Sequence, residues 1–414
     1  MTPLVLTVFL LVYLGMILGG LPFLKLDRTG VALLGAIVLV ASGAVTEEAA
    51  RAAIHTPTLA LLFSFMVVSA QLRLGGFYDW ATRRLGALPV QPPLLLGALI
   101  AVSGGLSAVF SNDIVCLAMA PVLAELCLAR RLDPVPFLLA LACAANIGSA
   151  ATLIGNPQNM LIGETLQLSF ADYLAQAALP TGLGLVVTWG LILVLTRGRW
   201  ALPDGLPRDV AATQPPAEPG RRLDPWQSAK GLAIAALLFA AFLFVPWPRD
   251  LLALAGAGLL LTSRRLHSRR MLGLVDWELL VLFMGLFVVN HALQATGIPA
   301  QAVTALATVG IDLQAPAPLF AASFLLSNLV SNVPAVMLLL PTATHPLGGT
   351  LLALSSTLAG NLFIVGSIAN IIVVQAAQRR GIPIDWRRHA RIGVPVTLCT
   401  LAVAAVSLWL GVRV

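Results

Sequence analysis

Residues 146–159 read NIGSAATLIGNPQN, a polar run that interrupts a long apolar segment. Gly155 and Pro157 flank Asn156, and both disfavour a continuous helix, because glycine is too flexible and proline lacks the amide hydrogen. Residues 360–370 read GNLFIVGSIAN, and Gly366 through Asn370 repeat Gly155 through Asn159 at an offset of 211 positions. The sequence therefore predicts two broken helices, at about 137–165 and 348–378. Their unwound carbonyl groups could bind an ion.

A second polar motif lies before each broken helix. Ser111-Asn112-Asp113 stands in the middle of the apolar residues 94–128, and Ser327-Asn328 with Ser331-Asn332-Val333-Pro334 takes the same place in the second half. Two helices with a polar turn between them fit such a stretch better than one helix does. We therefore predict re-entrant hairpins at about 93–129 and 314–344. The serines and asparagines are suited to cap each second arm, whose positive dipole end would face inward.

The whole chain has the composition of a protein whose solvent is lipid. Of its 414 residues, 58% are hydrophobic and 10% are charged, against about 25% charged in a soluble domain. Apolar runs of roughly 17–25 residues recur, for example at 4–24, 59–74, 174–195 and 392–410, and that length lets a helix cross hydrocarbon. Continuous apolar runs select helices over a β-barrel. The sequence predicts an all-α polytopic membrane protein.

Two similar halves make up the chain. Ser111-Asn112 recurs as Ser331-Asn332 at an offset of 220 positions. The proline-rich stretch between the halves is the most polar part of the protein, which is typical of an exposed linker. We therefore predict repeat 1 (residues 1–197), a cytoplasmic linker (198–228) and repeat 2 (229–414). Each repeat would hold five spanning helices and one hairpin.

The positive charges predict the topology. With the linker in the cytoplasm, 22 of the 25 Lys and Arg residues fall on the cytoplasmic side, and only Arg51, Arg249 and Arg413 do not. Five spans per half put the two repeats in the membrane upside down relative to each other, with both termini outside. This is the inverted-repeat plan of secondary transporters. We expect the inner (cytoplasmic) membrane of a bacterium, and no nucleic-acid partner.

Polar groups at matching breaks in two halves predict a substrate and ion site. Asp113 is the strongest functional candidate in this site, because a carboxylate deep in a bilayer usually pairs, binds a cation or carries a proton. Its counterpart in repeat 2 is Val333, so we predict that Asp113 alone couples transport to an ion. The structural alternatives are that Asp113 stabilises a helix end and that the other residues only help helices to pack. The candidate residues are Ser111, Asn112, Asp113, Thr152, Gly155, Asn156, Asn159, Ser327, Asn328, Ser331, Asn332, Asn361, Gly366, Ser367 and Asn370.

We expect structural roles for Glu125 and for the four cysteines. We expect Glu125 to form an ion pair with Arg130 near the cytoplasmic end of its helix, and the four cysteines to be small buried residues at no metal-like spacing. The sequence has no phosphate-binding loop of the ATPase type and no nucleophile–base pattern, so we expect neither ATP-driven transport nor an enzyme. No cofactor is expected beyond Na⁺ or H⁺ as the coupling ion.

These motifs resemble the ion transporter superfamily, which includes divalent anion/Na⁺ symporters, arsenite permeases, sodium/proton antiporters and silicic-acid efflux carriers. The resemblance covers essentially the whole chain and is closest to the arsenite permease branch. Symporters of this group typically carry Ser-Asn-Thr at both hairpin tips, whereas this chain has Asp113 at one tip and Val333-Pro334 at the other. The resemblance implies a homodimer in which a transport region moves against a scaffold.

The expected function is ion-coupled secondary transport in a lipid bilayer. The favoured substrate is a small inorganic oxyacid or anion such as arsenite or silicic acid, because no Lys or Arg falls in the inferred site. It would be exported in exchange for H⁺ or Na⁺. A Na⁺/H⁺ antiporter without another substrate is an alternative. A Na⁺-coupled symporter of a carboxylate or sulfate, held by the hairpin dipoles, is another, and a non-transporting membrane subunit is a fourth.

Overall fold

The computed structural model describes residues 1–21, 24–202 and 222–411 of the chain. Within these residues the fold is built from twenty α-helices, two 3₁₀ segments and one antiparallel strand pair, β1 (Gly20–Leu21) with β2 (Leu26–Asp27). The predicted all-α membrane fold is thereby confirmed. Most of the predicted linker, residues 203–221, lies outside the described residues.

The described helices form two sets of ten with the same order of long and short members. The first set is α1 (Thr2–Leu18), α2 (Arg28–Ala41), α3 (Glu47–Ala53), α4 (Thr56–Leu74), α5 (Phe77–Gly86), α6 (Pro92–Val109), α7 (Asn112–Ala129), α8 (Pro134–Ser149), α9 (Pro157–Thr165) and α10 (Phe170–Thr196). The second set is α11 (Pro225–Phe244), α12 (Arg249–Leu261), α13 (Ser268–Leu272), α14 (Trp277–Ala295), α15 (Ile298–Thr308), α16 (Pro316–Val330), α17 (Asn332–Leu339), α18 (Gly348–Ala359), α19 (Ile368–Gln378) and α20 (Trp386–Gly411). The 3₁₀ segments are Leu340–Thr342 and Ile364–Gly366.

Seven of the described helices are long and apolar enough to cross a bilayer, namely α4, α6, α7, α10, α11, α14 and α20. Their outer faces carry exposed apolar side chains such as Val186 and Val194 on α10 and Leu237 on α11. Water would penalise such surfaces, whereas lipid accommodates them. The shorter apolar helices include α8, α18 and α19, and α9, with nine residues, is shorter still.

The two sets pack on each other reciprocally. Helix α2 lies along α14, and the equivalent pair, α12 and α4, makes an equally extensive contact. Helix α10 lies along its own counterpart, α20. This exchange of partners brings the broken helices of both sets into the same interior. The inverted orientation of the repeats in a bilayer, and the homodimer, stay predictions.

Helices α6 and α7 form a hairpin in the structure. At the end of α7, the Arg130 guanidinium donates hydrogen bonds to the carbonyl oxygens of Gly86, Leu88 and Val90, at 3.0, 3.2 and 3.2 Å. Those carbonyls lie just before α6 begins, so the far end of α7 returns to the start of α6. At the other end, the backbone amide of Asn112 donates to the carbonyl of Gly155 at 3.2 Å, so the tip meets the break between α8 and α9.

Glu125 forms the expected ion pair, but its partner is not Arg130. Glu125 Oε1 instead accepts a hydrogen bond from Arg380 Nη2 at 2.6 Å. Arg380 follows the last turn of α19, which packs along α7. Two residues five positions apart on a helix point in different directions, so Arg130 turns to the neighbouring loop and Glu125 to α19.

Two glycines allow the hairpin to approach the broken helix closely. A Cβ on Gly148 would lie 2.2 Å from the carbonyl oxygen of Gly104, so α6 and α8 touch backbone to backbone there. A Cβ on Gly155 would lie 2.3 Å from the carbonyl oxygen of Ser149 and 2.8 Å from that of Ser107. Only glycine fits these positions, and the hairpin tip is thereby held against the break.

Candidate functional site

Asn146 joins the hairpin tip of the first set to the helix break of the second. Its Oδ1 accepts hydrogen bonds from Asn112 Nδ2 and Ser367 Oγ, both at 2.9 Å. Its Nδ2 donates to Asn361 Oδ1 at 2.8 Å and to Asn370 Oδ1 at 3.3 Å. All five side chains are buried. Four of the predicted site residues are therefore brought together by a fifth residue on α8.

Thr357 on α18 plays the corresponding part at the break between α8 and α9. Its hydroxyl accepts hydrogen bonds from Asn156 Nδ2 and Gln158 Nε2, both at 3.2 Å. It also contacts Asn159 Oδ1 at 3.4 Å. Asn146 and Thr357 are 211 positions apart, the offset that relates the two breaks. Each broken helix thus sends a polar side chain into the break of the other.

Two predicted ligands also cap the short helices that follow the breaks. Asn156 Oδ1 accepts from the backbone amide of Asn159 at 2.9 Å, and Ser367 Oγ accepts from that of Ala369 at 3.2 Å. These bonds satisfy amides at the helix N-termini, α9 and α19, that have no partner within their helix. The same side chains reach the inter-helix network, so each couples the backbone of a break to the site.

The remaining groups of the first break are tied to neighbouring helices. Asn159 Nδ2 donates to the carbonyl of Thr152 at 2.9 Å and to Tyr173 OH at 3.1 Å. The Thr152 hydroxyl donates to the carbonyl of Ala108 at the end of α6. At the second break, Asn370 Nδ2 donates to the carbonyl of Gly360 at 2.8 Å. These contacts leave the breaks ordered, as a preformed site requires.

Asp113 stands beside this network. It lies in the first turn of α7 and is partly exposed. Its carboxyl group lies near the backbone amide of Ala369, in the first turn of α19. The acidic group is therefore shared between the tip of one hairpin and the helix break of the other set.

The second hairpin tip lies against the second break without joining the Asn146 network. Asn328 Nδ2 donates to the carbonyl of Phe324 on its own helix, at 3.0 Å. Atoms of Asn328 and Asn332 lie within 4 Å of the positions that Cβ atoms would take on Gly366 and Gly360. Both tips thus face a break, but through different contacts.

The expected capping by the hairpin serines is wrong. Neither Ser111 nor Ser331 makes a side-chain hydrogen bond to its helix N-terminus. Ser331 has φ 78° and ψ 159°, a conformation that glycine adopts easily and other residues rarely do, whereas Ser111 has φ −53° and ψ 128°. The amides at the start of α17 therefore receive no side-chain cap from Ser331.

Unpaired polar atoms concentrate at the two tips and breaks. Several buried oxygen and nitrogen atoms there have no hydrogen-bond partner among the described residues, and they are Ser107 Oγ, Asn112 Oδ1, Ser327 Oγ, Asn328 Oδ1, Asn332 Oδ1 and Asn361 Nδ2. Each such atom costs about 1–3 kcal/mol when it stays unpaired. A polar ligand that paired them would recover that energy. In the described part of the chain no cluster of three or more His, Cys, Asp or Glu side chains suits a metal ion.

Sequence reasoning did not place Asn146, Thr357 or Tyr173 among the site residues. Asn146 and Thr357 lie inside helices, where a polar residue has no local sign of function. The repeat offset of 211 positions was the available signal, because it pairs these two polar residues on equivalent helices. Tyr173 carries no such mark, since its contact with the first break depends on how α10 packs.

The fold and the site define a polytopic membrane transporter, and comparison with known proteins agrees. Residues 9–350 match a family model described as citrate transporter. An uncharacterised transporter of Mycobacterium tuberculosis is 31% identical over 93% of this chain and 94% of that protein. The chain therefore belongs to the citrate transporter family, which confirms the resemblance to the ion transporter superfamily. It is a transport protein and not an enzyme.

Two further relatives carry names that bear on substrate. A silicon efflux transporter of rice is 30% identical over 93% of each chain. A Dictyostelium discoideum protein named as an arsB transporter is 29% identical over 41% of this chain and 30% of that protein. Among solved structures, the YdaH transporter of Alcanivorax borkumensis matches with a TM-score of 0.57 over 100% of this chain and 98% of that chain. At 14% identity, that likeness concerns the fold alone.

Proposed function

We propose that this transporter exports a small neutral oxyacid, such as arsenous or silicic acid, in exchange for protons or Na⁺. The observation that carries the proposal is the chemistry of the site. Asn112, Asn146, Asn361, Ser367 and Asn370 offer carboxamides and hydroxyls, and the described residues of this network include no Lys or Arg. One carboxylate, contributed by the first turn of α7, stands beside it.

Such a site suits an uncharged ligand that both donates and accepts hydrogen bonds. A hydroxylated oxyacid can donate to Asn112 Oδ1 and Asn332 Oδ1, which are buried and unpaired, and can accept from Asn361 Nδ2. A multiply charged anion would have only helix dipoles to offset its charge, and it would face Asp113. The names of the rice and Dictyostelium relatives favour the same class of substrate.

Asp113 is the proposed coupling residue. A carboxylate that is negative in one state and proton-bound or cation-bound in the other can link ion movement to a change of conformation. Its contact with the start of α19 means that a proton or Na⁺ at Asp113 alters the electrostatics of the second helix break directly. Export would then be driven by ion entry.

The test is flux in proteoliposomes that contain the purified protein, with a pH gradient and a Na⁺ gradient imposed in separate experiments. We expect arsenous or silicic acid to move against its own gradient under one of them. The variant Asp113→Asn keeps the shape of the side chain and removes its charge, so driven flux should be lost. Asp312→Asn, in the exposed segment before α16, is the matched control and should retain it. Gradient-driven flux at the wild-type rate in Asp113→Asn would refute the coupling role.

A carboxylate symporter is the second candidate, because the family model is described as citrate transporter. In that case, the backbone amides at the starts of α7 and α17 would hold the substrate, since no serine side chain caps them. Inward citrate uptake that depends on Na⁺, without oxyacid flux, would establish it. Exchange of Na⁺ for protons with no other substrate would instead identify an antiporter.

A further inference from the structure

The carbonyl groups of the two breaks are held by equivalent helices, but with different side chains. In the first break, Tyr173 OH donates a hydrogen bond to the carbonyl of Ala150 at 2.7 Å. In the second break, His389 Nε2 lies 3.1 Å from the carbonyl of Asn361. Ala150 and Asn361 are 211 positions apart, which is the offset between the breaks. The two contacts are therefore counterparts.

The positions of the two side chains in their helices are also the same. Tyr173 is the fourth residue of α10, and His389 is the fourth residue of α20. Both helices begin after a residue whose side chain accepts a hydrogen bond from a backbone amide, Ser169 in one case and Asp385 in the other. The exposed fractions are 2% for Tyr173 and 1% for His389. Repeat 2 thus has a titratable imidazole where repeat 1 has a phenol.

The contact fixes the tautomer of His389. A carbonyl oxygen only accepts hydrogen bonds, so Nε2 must carry the hydrogen and Nδ1 is left with its lone pair. Among the described residues Nδ1 has no partner, and the Nδ2 atom of Asn361 has none either. Gly393 makes the approach possible, because a Cβ there would lie 2.4 Å from the carbonyl oxygen of Asn361 and 2.9 Å from His389 Nε2.

No charged side chain among the described residues forms an ion pair with this imidazole. Helix α20 packs against α10, α18 and α8, and α18 contains no titratable residue. Asp133, in the loop before α8, interacts electrostatically with Arg388. The titratable or charged groups on α20 and the elements around it are Asp133, Cys143, Asp172, Tyr173, Arg387, Arg388, Arg391 and Cys399.

We propose that His389 is a titratable positioning residue of the transport site, an inference that rests on the proposed function. The neutral imidazole holds the backbone of Asn361, whose side chain binds Asn146. A proton on Nδ1 adds a donor that has no acceptor and places a positive charge in the wall of the site. The second break must then rearrange, so transport slows in acid. Tyr173 makes the first break insensitive to pH over the same range.

The first test does not depend on any substrate. Nitrogen-15 NMR of histidine-labelled protein in nanodiscs reports the protonation and tautomer of each imidazole, and the signal missing from His389→Gln identifies this residue. We expect a neutral ring protonated at Nε2 at pH 7.5, and a change of its signal in acid. A ring protonated at Nδ1, or one unchanged between pH 7.5 and 5, would overturn the proposal.

The second test is the pH profile of flux, with arsenite as the probe and citrate as the alternative probe. Wild-type flux should fall by about tenfold for each pH unit below the titration of His389. His389→Gln retains an N–H donor and cannot titrate, so its profile should lack this fall, whereas His345→Gln, at a partly buried position before α18, should keep it. Tyr173→Phe should lower flux at every pH without changing the profile. An unaltered acid fall in His389→Gln would count against the proposal. If neither probe is carried, the proposed function fails, and the NMR result alone decides the role of His389.

Discussion

Asn146→Ala should damage stability and substrate affinity together, because this side chain holds both parts of the site. The substitution removes four hydrogen bonds, two accepted and two donated, all between buried side chains. A buried hydrogen bond contributes about 1 kcal/mol net, so the loss is about 4 kcal/mol. Unfolding entropy of about 2 cal/mol/K per residue, applied to 414 residues, converts this to a fall in Tm of about 5 °C.

The effect on transport should be larger than the effect on Tm suggests. Without Asn146, the amides of Asn112 and Asn361 lose the group that orients them toward each other. We expect the apparent KM for the transported oxyacid to rise by at least about tenfold, which corresponds to about 1.4 kcal/mol of lost binding. Thermal unfolding in detergent and initial rates of flux in proteoliposomes measure the two effects on the same preparation.

Gln71→Ala is the matched control. The buried amide of Gln71 makes two hydrogen bonds to Gln227, at 2.9 and 2.8 Å, where α4 packs on α11 and away from the breaks. It should lower Tm by about 2 °C and leave KM unchanged. The reasoning would be refuted if Asn146→Ala kept wild-type Tm and KM. It would also fail if Gln71→Ala raised KM as much as Asn146→Ala did.

Three further substitutions test local features of the fold by the same melting assay. Ser331→Gly should raise Tm by about 1–3 °C because φ is 78° there, whereas Ser111→Gly, at φ −53°, should not raise it. Gly155→Ala should prevent stable folding, since the new Cβ would lie 2.3 Å from the Ser149 carbonyl; a monodisperse, wild-type Tm would contradict this. Arg249→Ala should lower the free energy of unfolding by about 3–5 kcal/mol, because the buried Glu164 carboxylate on α9, 2.9 Å from the guanidinium, loses its partner. A Tm drop below 1 °C would contradict this.

The sequence is informative where the cause of a structural feature is local. Composition and apolar runs were sufficient to predict an all-α membrane protein. Helix α9 begins at Pro157, so this proline acts on the backbone where it stands. Such effects need no knowledge of the neighbouring helices, because glycine and proline change the allowed dihedral angles of their own residues.

Features that depend on packing could not be predicted in the same way. Glu125 pairs with Arg380, 255 positions along the chain, because α19 packs along α7. Ser331 was expected to cap α17, but it has a positive φ and makes no side-chain hydrogen bond to the helix N-terminus. Asn146 begins the polar run of residues 146–159, but its partners become apparent only when α18 and α19 are placed around it. Each case requires the positions of helices from the other half of the chain.

The differences between equivalent positions indicate where ion coupling can arise. Asp113 corresponds to Val333, and His389 corresponds to Tyr173. In a carrier whose repeats exchange roles between two end states, a proton bound at matching groups would stabilise both states equally and shift nothing. A ligand changes a conformational equilibrium only by its difference in affinity between the states. A proton-binding group without a counterpart would supply that difference, and Asp113 and His389 are the groups proposed for this role. Both also lie at the second break, Asp113 near the backbone of α19 and His389 at the carbonyl of Asn361. The second break is therefore the part of the site whose shape should follow the proton, while the first break keeps a constant geometry.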